Sequence, residues 1–244
     1  EANSTAILVV RNLYRNRDGQ RGTEWNCPRA FRRASGAAEL PRVLKSPSPF
    51  MQPRSQNVRF RNKVVMVTGG ASGIGEACIR MFAAEGASVV VADLLDEEAG
   101  ALCRAIRAEG GVATFIHLDV SQEAQWSAAI DEIQEKLGRL DVLVNSAGIS
   151  GFVHDRENTA YLDRIMAIHL RGCFLAIKHG APAIARSGGG AIVTLSSIAA
   201  YEGFNGQHMG YNAAKAGVLA MTRCAAGEYA RQGVRVNSVV PGLM

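Results

Sequence analysis

Along the first 62 residues the apolar side chains follow neither a helical nor an alternating period. From Lys63 onward, short apolar runs alternate with longer amphipathic stretches. The runs predict strands at 64–68, 88–93, 112–118, 141–145, 190–196 and 234–240. Helical spacing fills the gaps, as in Glu97–Glu109, Glu123–Leu137, Tyr161–Ala185 and Tyr211–Arg231. Six strands alternating with helices call for a mostly parallel sheet covered on both faces. Right-handed crossovers then favour an α/β, doubly wound parallel sheet, the Rossmann arrangement. No solenoid-type repeat is present.

Charge divides the chain at the same place. Residues 1–62 carry 12 of the 27 Lys and Arg but 4 of the 22 Asp and Glu, leaving 15 against 18 for the rest. The basic balance therefore belongs to a tail, which also holds five of the seven prolines. We read residues 1–59 as a basic, disordered extension and residues 60–244 as one Rossmann-type domain. The tail reads as an upstream extension before a start at Met51, with a cleavable organelle transit sequence as the alternative. A nucleic-acid arm is disfavoured, since the tail has little aromatic interleaving and no recognised module. Glu1 is not an initiator, so the chain reads as processed, engineered or a fragment. Five scattered cysteines without a C-x-x-C pair argue against disulfides and zinc, and for a reducing, cytoplasmic setting. No run of about 18 apolar residues is found, so no membrane association is expected.

The first predicted strand of the domain, Val64-Val65-Met66-Val67, runs directly into Thr68-Gly69-Gly70-Ala71-Ser72-Gly73-Ile74-Gly75 and then a helix. Glycine permits the tight turn and lets backbone N–H groups approach a pyrophosphate at the helix N-terminus. Gly69, Ser72, Gly73, Ile74 and Gly75 are the candidate phosphate-binding residues. The next strand ends at Asp93, whose carboxylate can accept hydrogen bonds from the adenosine ribose hydroxyls. Its charge opposes a 2′-phosphate, and Leu94-Leu95 supplies no arginine to offset it, so NAD is expected rather than NADP. The competing use of Asp93 is as a cap for a helix starting near Asp96.

The Gly-x-x-x-Gly-x-Gly spacing of Gly69, Gly73 and Gly75 resembles that of the short-chain dehydrogenase/reductase family, and the resemblance extends from about Phe60 to Leu243. Asp119-Val120 is similar to the family's adenine-contacting pair, and Asn145-Ser146-Ala147-Gly148 to its Asn-Asn-Ala-Gly element, with Ser146 for the second Asn. Asn145, Ala147 and Gly148 are thereby implied to contact the cofactor, as are Pro241 and Gly242 beside nicotinamide.

Ser197 closes the fifth predicted strand, Tyr211 follows 14 residues on, and Lys215 lies one helical turn further. At i and i+4 the last two side chains share a helix face. Oxidising an alcohol by hydride loss needs a base for the hydroxyl proton. A free tyrosine with a pKa of about 10 is poorly suited unless a neighbouring ammonium makes it more acidic. Tyr211 is thus the candidate acid/base, Lys215 its electrostatic support, and Ser197 the group that orients the substrate oxygen. The resemblance also implies that Tyr211 and Lys215 touch the cofactor, Lys215 through the nicotinamide ribose. His169 stands where the family usually has an Asn that holds a water and links the lysine to solvent. An imidazole that titrates near neutrality can serve that relay or impair it.

The other histidines, at 117, 154, 179 and 208, lack ligand spacing, so no metal is expected. Apolar residues in 150–154 and 201–209 predict a cavity for a small secondary alcohol or ketone, cyclic or steroid-like carbonyls included. The resemblance implies a homo-oligomer, dimer or tetramer, and a C-terminal seventh strand that is missing here. That absence predicts an apolar edge on the sixth strand and an unstable or insoluble polypeptide. A non-catalytic dinucleotide-binding sensor or scaffold is the alternative function, and a methyltransferase, which gives Tyr211 and Lys215 no task, comes third.

Overall fold

The structure is a computed structural model that describes residues 7–10 and 58–242. Strands β1 (Ile7–Val10), β2 (Val64–Thr68), β3 (Ser88–Asp93), β4 (Val112–His117), β5 (Val142–Asn145), β6 (Gly190–Leu195) and β7 (Val234–Pro241) form one sheet. Its order is β1-β7-β6-β5-β2-β3-β4. Every pairing among β2–β7 is parallel, so the six expected strands form the doubly wound sheet expected of them. Strands β2 to β4 step one way along the sheet, and the chain then returns to place β5 against β2. That reversal opens a crevice at the carboxyl ends of β2 and β5, the usual ligand site of such sheets.

Strand β1 lies within the stretch read as an extension. Residues 7–10 pair antiparallel with β7, Ile7 opposite Pro241 and Val10 opposite Ser238. The edge that a six-stranded sheet would leave open on β7 is thereby paired along Ser238–Pro241. Residues 11–57 lie outside the described residues, and so does most of the expected extension. The described part of the domain resumes at Val58, where Phe60 packs edge-on against Phe82 with ring centroids 4.8 Å apart.

Helices α1 (Gly73–Ala84), α2 (Asp96–Ala108), α3 (Glu123–Leu137), α4 (Thr159–Ile165), α5 (Gly172–Arg186) and α6 (Met209–Tyr229) cover the sheet. Strand β2 alternates its side chains between two cores. Met66 joins Trp126, Leu143, Ile184 and Ile192, whereas Val65 and Val67 join Ile79, Val89, Leu102 and Ile106. The stretch read as one helix, Tyr161–Ala185, contains a π-helical turn at Met166–Arg171 between α4 and α5. Such single turns are rare and sit inside otherwise α-helical stretches, so the apolar pattern gives no reason to expect one.

Asp141, just before β5, is 2 % exposed. Its carboxylate accepts hydrogen bonds from Arg139, from Lys63 Nζ at 2.9 Å and from the Val64 N–H at 2.9 Å. Burial works against this charge, yet the bonds from Arg139, Val64 and Lys63 hold the carboxyl below its ordinary range. Asp141→Asn leaves two cations facing a neutral amide, and because both remain partly in water the expected loss is about 2 to 3 kcal/mol. A thermal melt of the variant checks this, and an unchanged midpoint contradicts it.

Candidate active site

The turn after β2 gives the site its floor. Gly69 and Gly73 have φ of 64° and 53°, in the left-handed region that favours glycine. A Cβ on Gly75 would lie 1.9 Å from the Gly69 carbonyl oxygen, so α1 begins in direct contact with the turn that feeds it. The Asp93 carboxylate closes the far side, accepting from the N–H groups of Ala71 at 2.9 Å, Leu94 at 2.7 Å and Leu95 at 3.2 Å. Helix α2 starts with Leu95 as its N-cap and no side-chain cap, so Asp93 braces the glycine turn rather than capping that helix.

A cavity of about 520 Å³ opens above this turn. Gly69, Ser72, Gly73, Ile74, Gly75, Asp93, Asp119, Val120, Ala147 and Gly148, all singled out in the sequence, line it. Asn145 does not. Its Oδ1 accepts from Thr68 Oγ at 3.0 Å, and the same hydroxyl accepts from the N–H groups of Ser146 and Ala147. Asn145 thus ties β2 to β5 from beneath. Pro241 ends β7 in the sheet, with Gly242 just beyond, and neither lines the cavity.

The second group sits past the carboxyl ends of β5 and β6. Ser197 caps the short 3-10 turn Ile198–Ala200 and hydrogen-bonds the Tyr211 phenol. Tyr211 lies in the first turn of α6, which His208 caps by accepting the Gly210 N–H at 3.0 Å. One turn on, Lys215 donates from Nζ to the Leu195 carbonyl at 2.8 Å and stands 5.6 Å from the Tyr211 ring centroid. Gly151 lies flat on the phenol ring, where a Cβ would meet Tyr211 Cγ at 2.5 Å. His169, inside the π-helical turn, meets the same ring edge-on at 5.2 Å between centroids.

Burial sets the electrostatics of this group. It pushes Lys215 down to about 8 and, with the nearby Lys215 charge, pushes His169 down to about 3. His169 is therefore neutral at ordinary pH, which corrects the expectation that it titrates near neutrality. Burial also raises the Tyr211 phenol above its usual value, against the pull of the Ser197 hydrogen bond. The acidic phenol expected from the Lys215 spacing is thus opposed by desolvation in the protein alone.

The family model described as short chain dehydrogenase matches residues 63–244. The chain belongs to the short-chain dehydrogenase family. An uncharacterized oxidoreductase, YxbG, of Bacillus subtilis is 41% identical over 187 residues, covering 75% of this chain and 67% of that protein. The 2,5-dichloro-2,5-cyclohexadiene-1,4-diol dehydrogenase LinX of Sphingobium indicum is 42% identical over 76% of this chain and 74% of its own length. A 3-alpha-(or 20-beta)-hydroxysteroid dehydrogenase of Mycobacterium tuberculosis is 42% identical over 76% and 70%. Among solved structures, a short chain dehydrogenase from Mycobacterium smegmatis superposes with a TM-score of 0.71 at 35% identity, covering 77% of this chain and 78% of that one. Levodione reductase gives 0.69 at 37% identity, covering 74% and 71%.

Several residues of this dehydrogenase site escape sequence reasoning. Leu94, Leu95, Leu118, Ser121, Ile149, Arg164 and Ile168 also line the cavity. Leu94 and Leu95, exposed apolar residues directly after Asp93, carried the one readable signal. The segments 150–154 and 201–209, expected to form a cavity, touch one another, since Phe152 bridges Gln207 and the His208 N–H donates to the Gly151 carbonyl at 2.8 Å, but neither segment lines the 520 Å³ cavity. Phe152, Tyr201 and Met209 are exposed there. Among the described residues no group of three or more His, Cys, Asp or Glu could hold a metal ion, and no helix is long and apolar enough to cross a membrane.

Proposed function

We propose that this protein passes hydride between NAD(H) and a small secondary alcohol or ketone, cyclic or steroid-like, with Tyr211 as the general acid/base. The observation that carries the reading is the grouping of Ser197, Tyr211 and Lys215 past the strand ends beside the glycine-floored cavity. The residues present fit a dinucleotide, because the turn at Gly69–Gly75 leaves no room for a Cβ at Gly75 and exposes the start of α1 to a pyrophosphate. When bound, the nicotinamide ring supplies or accepts the hydride and, oxidised, adds positive charge near the phenol.

Ser197 holds the substrate oxygen in line with Tyr211, which takes the hydroxyl proton in oxidation and returns it in reduction. Lys215, with one N–H committed to Leu195, has two others to offer, and its ammonium favours the phenolate. The exposed apolar wall of Phe152, Tyr201 and Met209 suits a carbon ring with few polar groups, in keeping with the substrates named for LinX and the hydroxysteroid dehydrogenase. A homo-oligomer is part of the same proposal.

Asp93 supports NAD over NADP, since its carboxylate lines the cavity where a 2′-phosphate would add like charge. Asp93→Asn keeps an acceptor for the glycine turn and removes the charge. Its kcat/KM with NADP is expected to rise roughly tenfold, equivalent to about 1.4 kcal/mol. A wild-type preference for NADP contradicts the assignment. The reading as a whole is tested by following nicotinamide absorbance with a panel of cyclic secondary alcohols and ketones. Tight NADH binding without turnover across the panel overturns it in favour of a non-catalytic binding protein.

A further inference from the structure

His208 is 3 % exposed and joins three separate stretches of the chain. Its backbone N–H donates to the Gly151 carbonyl at 2.8 Å. Its ring Nδ1 accepts the Gly210 N–H at 3.0 Å, and Nε2 lies 3.1 Å from the carbonyl oxygen of Asn158, the N-cap residue of α4. Both ring contacts are satisfied together only when Nε2 carries the proton and Nδ1 is bare. The opposite tautomer would set N–H against N–H at Gly210 and a lone pair against the Asn158 oxygen.

The loop that the ring holds is the one that packs on Tyr211. Gly151 lies against the Tyr211 ring, Phe152 bridges Gln207, and the Val153 N–H donates to the Gly206 carbonyl at 3.4 Å. At the far end of the loop Asn158 Oδ1 accepts the Tyr161 N–H at 2.9 Å, and the Tyr161 hydroxyl donates to the Ser150 carbonyl at 2.8 Å. A Cβ on Gly210 would meet Leu162 Cδ1 at 2.4 Å and His208 Nδ1 at 3.1 Å, so α4 and the start of α6 close tightly around the imidazole. Residues 150–158 are thus fastened at both ends to the stretch leading into α6, with His208 at the joint. Two exposed apolar side chains, Phe152 and Met209, directly follow the fastened residues Gly151 and His208.

We propose that His208 is a positioning residue for the substrate: through Nε2 it straps residues 150–158 onto the helix that carries Tyr211, and so fixes Phe152 and Met209 as an apolar rest for the carbon ring of a cyclic alcohol or ketone. Nδ1 has the separate task of capping α6. The Asn158 carbonyl also accepts the Leu162 N–H at 3.0 Å, so it stays paired when the strap is cut. Cutting it therefore acts on substrate binding more than on stability. This inference rests on the hydride-transfer reading above, whose substrate it places.

Two variants separate the two nitrogens, because the amide of asparagine reaches the place of Nδ1 and that of glutamine the place of Nε2. His208→Asn keeps the cap and loses the strap. Its melting midpoint should stay near wild type, NADH affinity within about twofold and kcat within about threefold, while KM for a cyclic ketone rises roughly tenfold. His208→Gln keeps the strap and loses the cap, so KM should stay near wild type and the melting midpoint should fall. A wild-type KM in His208→Asn, or the same losses of kcat, KM and melting midpoint in both variants, shows that the ring merely packs and overturns the role. Wild-type protein labelled with ¹⁵N-histidine gives a check that needs no activity: the ring signals absent from His208→Asn should report Nε2 protonated and Nδ1 bare. A protonated Nδ1 overturns the proposal. Should the wild type turn over no cyclic alcohol or ketone, the hydride-transfer reading fails and the substrate role with it, while the spectrum still reports the joint between α4 and α6.

Discussion

Tyr211→Phe is expected to lower turnover by roughly a thousandfold while NADH affinity and the melting midpoint stay near wild type. The substitution removes one oxygen from a half-buried ring whose packing is set elsewhere, by Gly151 on its face and His169 at its edge. The lost hydroxyl is the one that Ser197 hydrogen-bonds and the nearby Lys215 charge supports. Ser197, Lys215 and His169 bring no second phenol or carboxylate to the group, so none of them replaces it as the proton's acceptor. Reduction should also carry the mark of Lys215. The ammonium is present below a pH of about 8 and lost above it, so turnover in that direction should stay level at lower pH and fall as pH rises past about 8. Equal turnover of the Tyr211→Phe variant and the wild type removes Tyr211 from the mechanism.

Gly75→Ala is the second large effect, and it acts on cofactor binding. The added Cβ would meet the Gly69 oxygen at 1.9 Å, the Gly69 carbonyl carbon at 2.7 Å and Gly70 Cα at 3.0 Å. All three are backbone atoms of the turn itself, which cannot swing aside as a flexible side chain could. The turn must open, and with it the Ala71 N–H that Asp93 holds at 2.9 Å. NADH affinity is expected to fall at least roughly a hundredfold, about 2.7 kcal/mol, with a lower melting midpoint. Gly73→Ala supplies the contrast. Its Cβ would point into open space, leaving only the backbone strain of φ 53°, about 1 to 2 kcal/mol. Titration of NADH fluorescence against both variants measures the difference, and equal affinities would contradict the close-packed turn.

How far the sequence carried these conclusions depends on how local each feature is. Helix α3 begins and ends where its apolar spacing does, and the i, i+4 spacing of Tyr211 and Lys215 needs only an intact helix to place them together. The glycine turn is likewise a matter of adjacent residues. What was hidden depends on partners far along the chain. Four apolar residues at 7–10 look like noise in a basic tail until β7, more than 200 residues later, offers its edge. Asp141 reads as the polar start of a strand, and its burial shows only once Lys63 and Arg139 converge on it. His169 could be named from its position, but its charge state could not. Burial and the Lys215 charge, neither visible in the sequence around residue 169, decide that it stays neutral.

The central claim is that the group at Ser197, Tyr211 and Lys215 serves hydride transfer in the cavity floored by Gly69–Gly75. The most direct measurement supplies a cyclic secondary alcohol deuterated at its carbinol carbon, with NAD, and follows where the label goes by mass spectrometry. The account predicts that the deuterium is recovered on the reduced nicotinamide, in equal amount to the ketone formed, and that the Tyr211→Phe variant yields neither. Ketone formed with the deuterium released to water, or labelled cofactor produced equally well without the Tyr211 hydroxyl, would contradict it.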